Sequence, residues 1–357
     1  MDKTTNHVVK INPSFPQRHW LQRAATILRT GGLVAFPTET VYGLGADALN
    51  TTAVEKIFRA KQRPGWDPLI VHVRDLAMAE SLAHEAPATF RQLTDQFWPG
   101  PLTLVVKKAA HVPDAITAGR PNVALRLPRH PVAAALLAEA GLPIAAPSAN
   151  QFGRPSPTRV EHVVADLGVR VDLILDAGPT LLGVESTVLD LTQSPPAILR
   201  PGGVTREQLE ALIGPVALAP SVADELARQG LAGPGMTRQH YAPRGSVELF
   251  EGNRQTVTAR LSARAAELRQ RGHCVAALVS DEMLPAVEPV VELVASFGAW
   301  GDWASLAQRL FAAFRVFDAQ GAVVILCVLP PAEGIGLAVR DRLQRAAGIL
   351  TERAGPE

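Results

Sequence analysis

The sequence predicts an α/β protein with two domains: a twisted mixed sheet with flanking helices, followed by a smaller Rossmann-like α/β domain. Short apolar runs alternate with helical patterns up to about residue 212, and the same alternation resumes after Ser246. Between these parts, the chain is rich in glycine and proline and has no sustained periodicity. We therefore expect domains at 1–213 and 246–357, joined by a linker at 214–245.

The elements of the first domain are predicted from periodicity and from the residues that flank each run. Six short apolar runs, several of them bounded by Gly or Pro, are typical of strands: 33–36, 69–73, 102–106, 123–127, 173–175 and 187–191. Four stretches have helical periodicity: 20–28, 53–61, 132–140 and 160–167. Thr52 and Glu55 have the spacing of a capping box for the second helix, and Thr158 with Glu161 has it for the fourth.

The second domain has three strand-like runs in alternation with three helical patterns. The strands are expected at 247–250, 274–279 and 322–329, and the helices at 257–270, 304–317 and 337–347. Alternation at this spacing predicts a small parallel sheet.

Composition and charge exclude several classes of protein. Hydrophobic residues make up 47% and charged residues 19% of the chain, which favours a packed core over global disorder. The 35 Lys and Arg residues balance 34 Asp and Glu residues, so no overall basic excess favours nucleic acid or anionic lipid. Cys274 and Cys327 are isolated, so we expect no metal site. No apolar block resembles a signal peptide or a membrane span, and a soluble, cytoplasmic protein is expected.

Two early motifs have the chemistry of a ligand site. In the segment 37–45, the hydroxyl groups of Thr38 and Thr40 follow a predicted strand and suit a polar ligand, although a purely structural turn is the alternative. Lys61 and Arg63 close the second helix ahead of a proline. Two cations at this spacing suit a polyphosphate, although cations near a helix C-terminus also interact with its dipole. We expect both to face solvent.

Four later motifs add to this picture. Arg126 interrupts a strand whose in-phase neighbours Ala124 and Pro128 are small or apolar, so it forms either a salt bridge or a clamp for a carboxylate. The remaining motifs are a hydrogen-bonding rim of Ser148, Asn150 and Ser156, and two polar strand tips at 185–188 and 199–203. No Ser-His-Asp triad pattern, zinc-protease motif or Walker loop occurs in the sequence. Such a set predicts a site that binds and orients a polyphosphate without an acyl-enzyme.

In this order, the motifs resemble the YrdC-type threonylcarbamoyl-AMP synthases in their long, two-domain form. The resemblance covers nearly the whole chain and rests on the segments 37–45, 61–64, 148–150, 185–187, 200–202, 235–243 and 334–343. It implies a YrdC-like fold for the first domain. It also implies a nucleotidyltransferase that makes L-threonylcarbamoyladenylate and pyrophosphate from L-threonine, bicarbonate and ATP.

The resemblance further implies cofactors and partners. ATP is a substrate, and Mg²⁺ is expected to bind mainly through its phosphates. The product would pass to a tRNA threonylcarbamoyl transferase complex, which modifies the adenosine beside the anticodon in tRNAs that read ANN codons. Direct binding of tRNA by this chain is expected to be weak, and no membrane is involved.

Residue roles also follow from the resemblance. Lys61 and Arg63 would be catalytic. The threonine pocket would be lined by Thr40, His72, Arg126, Ala146 and Ser186. The ATP site would be lined by Lys61, Arg63, Asp67, Asn122, Ser148, Asn150, Ser156, Arg200 and His240. His240 would reach the site from the linker, which would fold over it as a lid. Relatives commonly carry asparagine where this chain has Asp67, and a carboxylate would repel phosphate unless it binds ribose or metal.

Two alternatives have distinct signatures. A carbamoyltransferase of hydrogenase maturation uses the same domain, but such chains carry paired CxxC zinc motifs that this sequence lacks. A non-catalytic RNA-binding module would show salt-sensitive tRNA binding without ATP consumption. The balanced charge disfavours that second alternative.

Overall fold

The computed structural model describes residues 7–219 and 240–348. The chain divides into two compact units, Met1–Phe152 with Ser156–Ala219, and Gly153–Pro155 with Pro220–Glu357. Residues 214–219, expected in the linker, belong to the first unit, because a short strand there pairs with the sheet. Most of the remaining linker, 220–239, lies outside the described residues.

The first unit is built on one mixed sheet. Its strands are β1 (Val8–Lys10), β2 (Val34–Phe36), β3 (Gly43–Asp47), β4 (Ile70–His72), β5 (Ala83–Glu85), β6 (Leu102–Lys108), β7 (Asn122–Arg126), β8 (Ile144–Ala145), β9 (Leu173–Asp176), β10 (Thr187–Asp190), β11 (Ala197–Arg200) and β12 (Ala217–Leu218). Their order is β1-β9-β2-β3-β8-β4-β7-β6-β10-β11-β12, and β5 pairs with β6. Parallel and antiparallel pairs alternate irregularly, which confirms the expected mixed sheet.

The helices of this unit agree with the predicted periodicity and add several that it did not reveal. They are α1 (Arg18–Arg29), α2 (Thr51–Lys61), α3 (Leu76–Leu82), α4 (Ala88–Phe97), α5 (Asp114–Thr117), α6 (Pro131–Ala140), α7 (Val160–Leu167) and α8 (Arg206–Ile213).

Both predicted capping boxes were wrong. The N-cap of α2 is Asn50, whose side chain accepts a hydrogen bond from the amide of Ala53, so the helix begins before Thr52. The N-cap of α7 is Arg159, which makes no side-chain cap, and the amide of Thr158 instead donates to the ring of His162. Asparagine is as good an N-cap as threonine, so local sequence did not decide between neighbouring positions.

The two faces of the sheet differ in what covers them. One face carries Leu44, Val71, Leu125 and Leu189 in a core with apolar residues of α2, α3, α4, α5, α7 and α8. The opposite face is packed by α1 and α6, but the sheet residues in that second core come mainly from β1, β2, β8 and β9.

The second face is therefore more accessible over β4, β7 and β10. Ile70, Ala124 and Val188 are half-buried there, whereas the residues that follow them in each strand are fully buried. At these positions the strands have one packed and one partly accessible face, whereas His72, Arg126 and Ser186 on the same face are buried.

The second unit is a small sheet with helices. Its strands β13 (Ser246–Phe250), β14 (Val275–Val279), β15 (Leu293–Ser296) and β16 (Val324–Val328) are all parallel, in the order β13-β16-β14-β15. Its helices are α9 (Arg254–Gln270), α10 (Leu284–Val287), α11 (Trp303–Ala319) and α12 (Gly334–Ala346). This architecture confirms the expected Rossmann-like domain. Across the described ranges of the chain, no helix has both the length and the apolar character that a membrane crossing requires.

Candidate active site

Strand register places three of the predicted threonine-pocket residues on one face of the sheet. In the parallel pair β4 and β7, His72 lies opposite Arg126. Residues that are opposite in neighbouring strands project to the same face, and successive residues alternate between faces. Because Ala145 of β8 lies opposite Val71, the next residue, Ala146, lies on the face of His72. His72, Arg126 and Ala146 are thus neighbours.

Ser186 and Arg200 extend the same face across β6, β10 and β11. The hydroxyl oxygen of Ser186 lies 2.8 Å from that of Thr103 in β6. Arg200 donates from Nη2 to the Ser186 hydroxyl at 3.2 Å and to the Ser186 carbonyl at 3.0 Å. A Cβ at Gly202 would lie 2.3 Å from the Ser186 carbonyl carbon, so only glycine allows this approach. The sequence did not reveal Thr103, which is an ordinary strand residue.

Lys61 is buried, and our expectation that it faces solvent was wrong. It is 1% exposed, and its ammonium group donates to the carbonyls of Ser148 at 2.5 Å and Asn150 at 2.6 Å. A lysine has three N–H donors, so these two bonds leave one for a ligand. Burial, together with the charge of Arg63, lowers the pKa of Lys61 well below its usual range, although Asp67, Asp166 and Glu185 oppose this shift.

Arg63 is also held by protein groups instead of facing solvent as expected. Its Nη2 lies 2.8 Å from the carboxylate of Asp67, and its Nε and Nη2 donate to the carbonyls of Asp67 and Pro68 at 3.2 and 3.0 Å. Asp67 therefore pairs with the cation beside it. That pairing provides a reason for a carboxylate at this position other than contact with ribose or metal.

Ser156 and Glu185 form another contact in this region. The Ser156 hydroxyl donates to the Glu185 carboxylate, and both side chains are buried. Glu185 is near enough to influence the titration of Lys61, and it directly precedes Ser186. This links the Lys61 group to the group around Ser186 and Arg200.

Arg126 is paired with a residue that the sequence analysis did not single out. Its Nη2 lies 2.8 Å from the carboxylate of Glu39, and its Nε donates to the Gly100 carbonyl at 3.2 Å. Both charged side chains are almost completely buried. The salt bridge considered from the sequence is thus present, and Glu39 is its partner. The sequence signal that could have identified Glu39 as a site residue was its position inside the motif 37–45.

His72 is an uncharged group beside this ion pair. Burial, together with the charge of Arg126, lowers the pKa of His72 well below its ordinary value. In the described parts of the chain, neither ring nitrogen of His72 has a hydrogen-bond partner. A buried polar atom without a partner at such a site is a candidate ligand contact.

The segment 37–42 connects these groups. Thr38 and Thr40 are buried, and their hydroxyl oxygens lie 2.7 Å apart. The carbonyls of Glu39 and Thr40 accept hydrogen bonds from the amides of Leu182 and Gly183, at 2.9 and 3.2 Å. The segment therefore packs between the Arg126 pair and the chain that leads to Ser186.

Asn122 lies near the Arg63 group: Ile70 of β4 is opposite Ala124 of β7, which places Asn122 beside Pro68, whose carbonyl accepts a hydrogen bond from Arg63. Asn122 begins β7 whereas Arg126 ends it, so the two lie about 13 Å apart along the strand. The side-chain amide nitrogen of Asn122 donates a hydrogen bond to the Thr192 hydroxyl at 3.4 Å. His240 belongs to the second unit, where its backbone N–H donates to the Arg345 carbonyl at 3.4 Å. Its lid role stays a prediction.

This arrangement can bind an anion, and beside that anion site lies the pocket that contains Arg126 and its partner Glu39. Across residues 7–219 and 240–348, no group of three or more His, Cys, Asp or Glu side chains could hold a metal ion. Arginine and lysine beside hydroxyl groups bind and orient phosphate groups. The guanidinium group of the buried Arg126 is suited to bind a carboxylate.

Comparisons with known proteins agree on one family. Residues 26–202 match the family described as "Telomere recombination", and residues 204–348 match "Threonylcarbamoyl-AMP synthase, C-terminal domain". The threonylcarbamoyl-AMP synthase of Bacillus subtilis is 44% identical over 329 residues, which cover 92% of this chain and 93% of that protein. The Pyrococcus abyssi protein of the same name is 43% identical over 330 residues, covering 91% and 93%. The crystal structure of P. abyssi Sua5 complexed with L-threonine has a TM-score of 0.86 at 40% identity, and the match covers 96% of this chain and 97% of that chain.

Proposed function

The chain belongs to the threonylcarbamoyl-AMP synthase family, and from this premise we propose that it makes L-threonylcarbamoyladenylate from L-threonine, bicarbonate and ATP, with release of pyrophosphate. Apart from family membership, one structural observation supports the proposal. The first unit contains both an arginine suited to a carboxylate and a group of cations suited to a polyphosphate. Arg126 is the first, and Lys61, Arg63 and Arg200 are the second.

The threonine pocket is assigned to Thr40, His72, Arg126, Ala146 and Ser186. Arg126 would bind the substrate carboxylate through the part of its guanidinium that Glu39 and Gly100 do not occupy. The amide of Ala146 donates to the Ile70 carbonyl at 2.9 Å, so Ala146 would offer its own carbonyl to the substrate. The crystal structure of the P. abyssi relative with L-threonine supports an amino-acid pocket in this fold.

ATP binding and catalysis are assigned to the cationic group. The unprotonated threonine amine would attack the carbon of bicarbonate, and the loss of one water molecule would leave a carbamate. A carbamate oxygen would then attack the α-phosphorus of ATP, and pyrophosphate would leave. Lys61 and Arg63 would stabilise the charge that develops on the phosphates, with Arg200 beside them.

The remaining ATP contacts are assigned to Ser148, Asn150, Ser156, Asp67, Asn122 and His240. Asp67 would act by holding Arg63. Mg²⁺ would bind mainly through the phosphates of ATP, where it would neutralise charge, because the described residues offer no cluster of carboxylates for it.

We further propose that the linker 214–245, with His240, covers the site as a lid and keeps water from the mixed anhydride. The product would pass in the cytoplasm to a tRNA threonylcarbamoyl transferase complex, for modification of the adenosine beside the anticodon. Direct tRNA binding by this chain would be weak.

The test is pyrophosphate release by the purified protein. We expect release only when L-threonine, bicarbonate and ATP are all present, with threonylcarbamoyl-AMP detected by mass spectrometry. Omission of each substrate in turn is the control. Pyrophosphate release that does not depend on threonine would contradict the proposal, and tRNA binding without any ATP consumption would favour the RNA-binding alternative.

A further inference from the structure

Glu39 is a buried acidic residue with no role in the assignments above. It lies in the segment between β2 and β3, and only 2% of its side chain is exposed. Its carboxylate is 2.8 Å from Nη2 of Arg126, the group to which we assign the substrate carboxylate. Any ligand carboxylate on Arg126 would therefore lie next to a second carboxylate.

The charge states around Glu39 follow from its surroundings. Burial acts to raise the pKa of Glu39, but the positive charge of Arg126 outweighs burial and lowers the pKa. Glu39 is thus ionised at neutral pH. His72 is uncharged, because burial lowers its pKa. Burial also lowers the pKa of His130, although the negative charge of Glu39 opposes that shift. Arg126 and Glu39 thus form one pair of opposite charges beside the uncharged His72.

A buried pair of opposite charges is tolerated because each charge compensates the other. A ligand that brings only a carboxylate to Arg126 would leave this region with an uncompensated negative charge, which is unfavourable away from water. A zwitterionic α-amino acid avoids this cost, because its ammonium group sits on the carbon that bears the carboxylate. Its positive charge would then lie close to Glu39.

We propose that Glu39 is a specificity-determining residue that makes this pocket select zwitterionic α-amino acids over carboxylates without an amine. The inference rests on the proposed function, because it assumes that Arg126 binds the substrate carboxylate. Its consequence is that hydroxy acids and simple carboxylates are rejected at Arg126 before ATP is used.

The experiment compares the binding of two ligands by calorimetry, without ATP. One is L-threonine, and the other is 2,3-dihydroxybutanoate of matching stereochemistry, in which a hydroxyl group replaces the amine. The quantity measured is the ratio of the two dissociation constants. In the wild type, we expect threonine to bind more tightly. In Glu39→Gln, threonine should bind more weakly and dihydroxybutanoate more tightly, so that the ratio falls by about tenfold or more, as the coupling of close charge pairs implies.

Two further variants separate charge from structure. Glu39→Asp keeps the negative charge and should keep most of the preference for threonine. Asp190→Asn removes another buried carboxylate, one that accepts hydrogen bonds from Thr192 and Gln193, and should leave the ratio unchanged. If Glu39→Gln does not fold, Glu39→Ala replaces it. That variant also removes the negative charge and keeps Arg126, so the ratio should fall in the same direction.

A ratio that stays within twofold of the wild type in a folded Glu39→Gln protein overturns this inference alone. A ratio within twofold of the wild type in a folded Glu39→Ala protein, where that variant is needed, also overturns it. If the wild type binds no threonine, the proposed function fails, and the inference fails with it.

Discussion

The guanidinium of Arg63 lies 2.8 Å from the carboxylate of Asp67, four residues further along the chain. Because Arg63 also donates to the carbonyls of Asp67 and Pro68, the loop after α2 holds the guanidinium group of Arg63 in one orientation. A carboxylate that would repel phosphate by itself thus serves to orient the cation beside it.

Asp67→Asn should weaken ATP binding instead of strengthening it, because the loss of orientation at Arg63 outweighs the loss of a negative charge. The pair is partly exposed, so the effect should be modest, about 0.5–1 kcal/mol or a two- to fivefold rise in the KM for ATP. Steady-state pyrophosphate release measures it. Asp114→Asn, in the exposed pair with Lys108, is the control and should change nothing. A lower KM for ATP in Asp67→Asn would contradict the orienting role.

Lys61→Met should abolish pyrophosphate release and also destabilise the protein. The methionine cannot donate to the buried carbonyls of Ser148 and Asn150, and each unsatisfied carbonyl costs about 1–3 kcal/mol. Urea denaturation monitored by circular dichroism measures the free energy of unfolding.

Lys56→Met is the matched control for Lys61→Met, since Lys56 also donates to a carbonyl, that of Gly31, but lies elsewhere on α2. It should lose some stability and retain catalysis. Normal turnover in Lys61→Met would remove Lys61 from the catalytic group, and unchanged stability would contradict its role in holding the loop 148–150.

Gly202→Ala should disturb the contact between Arg200 and Ser186. The added Cβ would come within 2.3 Å of the backbone at Ser186 and Thr187, so that backbone must move. We expect a loss of stability of about 1–3 kcal/mol, as for overpacking, and a large loss of turnover. Gly119→Ala, at a positive φ with nothing near its Cβ position, separates backbone strain from crowding, and it should lose stability but keep turnover. If Gly202→Ala is as stable and active as the wild type, the close approach has no functional importance.

Acid should destabilise the wild type more than Glu39→Gln. The folded-state pKa of Glu39 lies below its ordinary value of 4.5, so its ionised form stabilises the folded protein above the unfolded-state pKa. That contribution is lost as the pH falls through the folded-state pKa. Urea unfolding at pH 7 and at about pH 3 should show the stability difference between wild type and variant shrinking at the lower pH. A difference that is constant or grows on acidification would mean that Glu39 is not ionised in the folded state.

Much of the fold could be predicted because its signals are local. The periodicity over 132–140 and 160–167 predicted α6 and α7 to within one residue, and strand–helix alternation after Ser246 predicted the parallel sheet. Helix starts were less predictable, since Asn50 and Thr52 are equally suitable caps two positions apart. Short elements such as β3 and α3 were missed because a few residues carry too little pattern.

The site was predictable as a set of motifs but not as a set of contacts. The sequence identified Arg126 as a charge that needs a partner, and it left a salt bridge and a carboxylate clamp as alternatives. It did not identify Glu39 as that partner, because the two residues lie on different elements that meet only when β2, β4 and β7 assemble. The burial of Lys61 was missed for the same reason, since its carbonyl partners come from the loop after β8.

The sequence by itself determined the family of this protein, its two α/β domains, and the kinds of side chain available to the site. Only the tertiary structure decided which of these side chains share one face of the sheet. The physical reason is strand register: shifting one strand by a single residue moves its whole set of side chains to the other face, and no local pattern encodes the neighbour against which a strand is aligned.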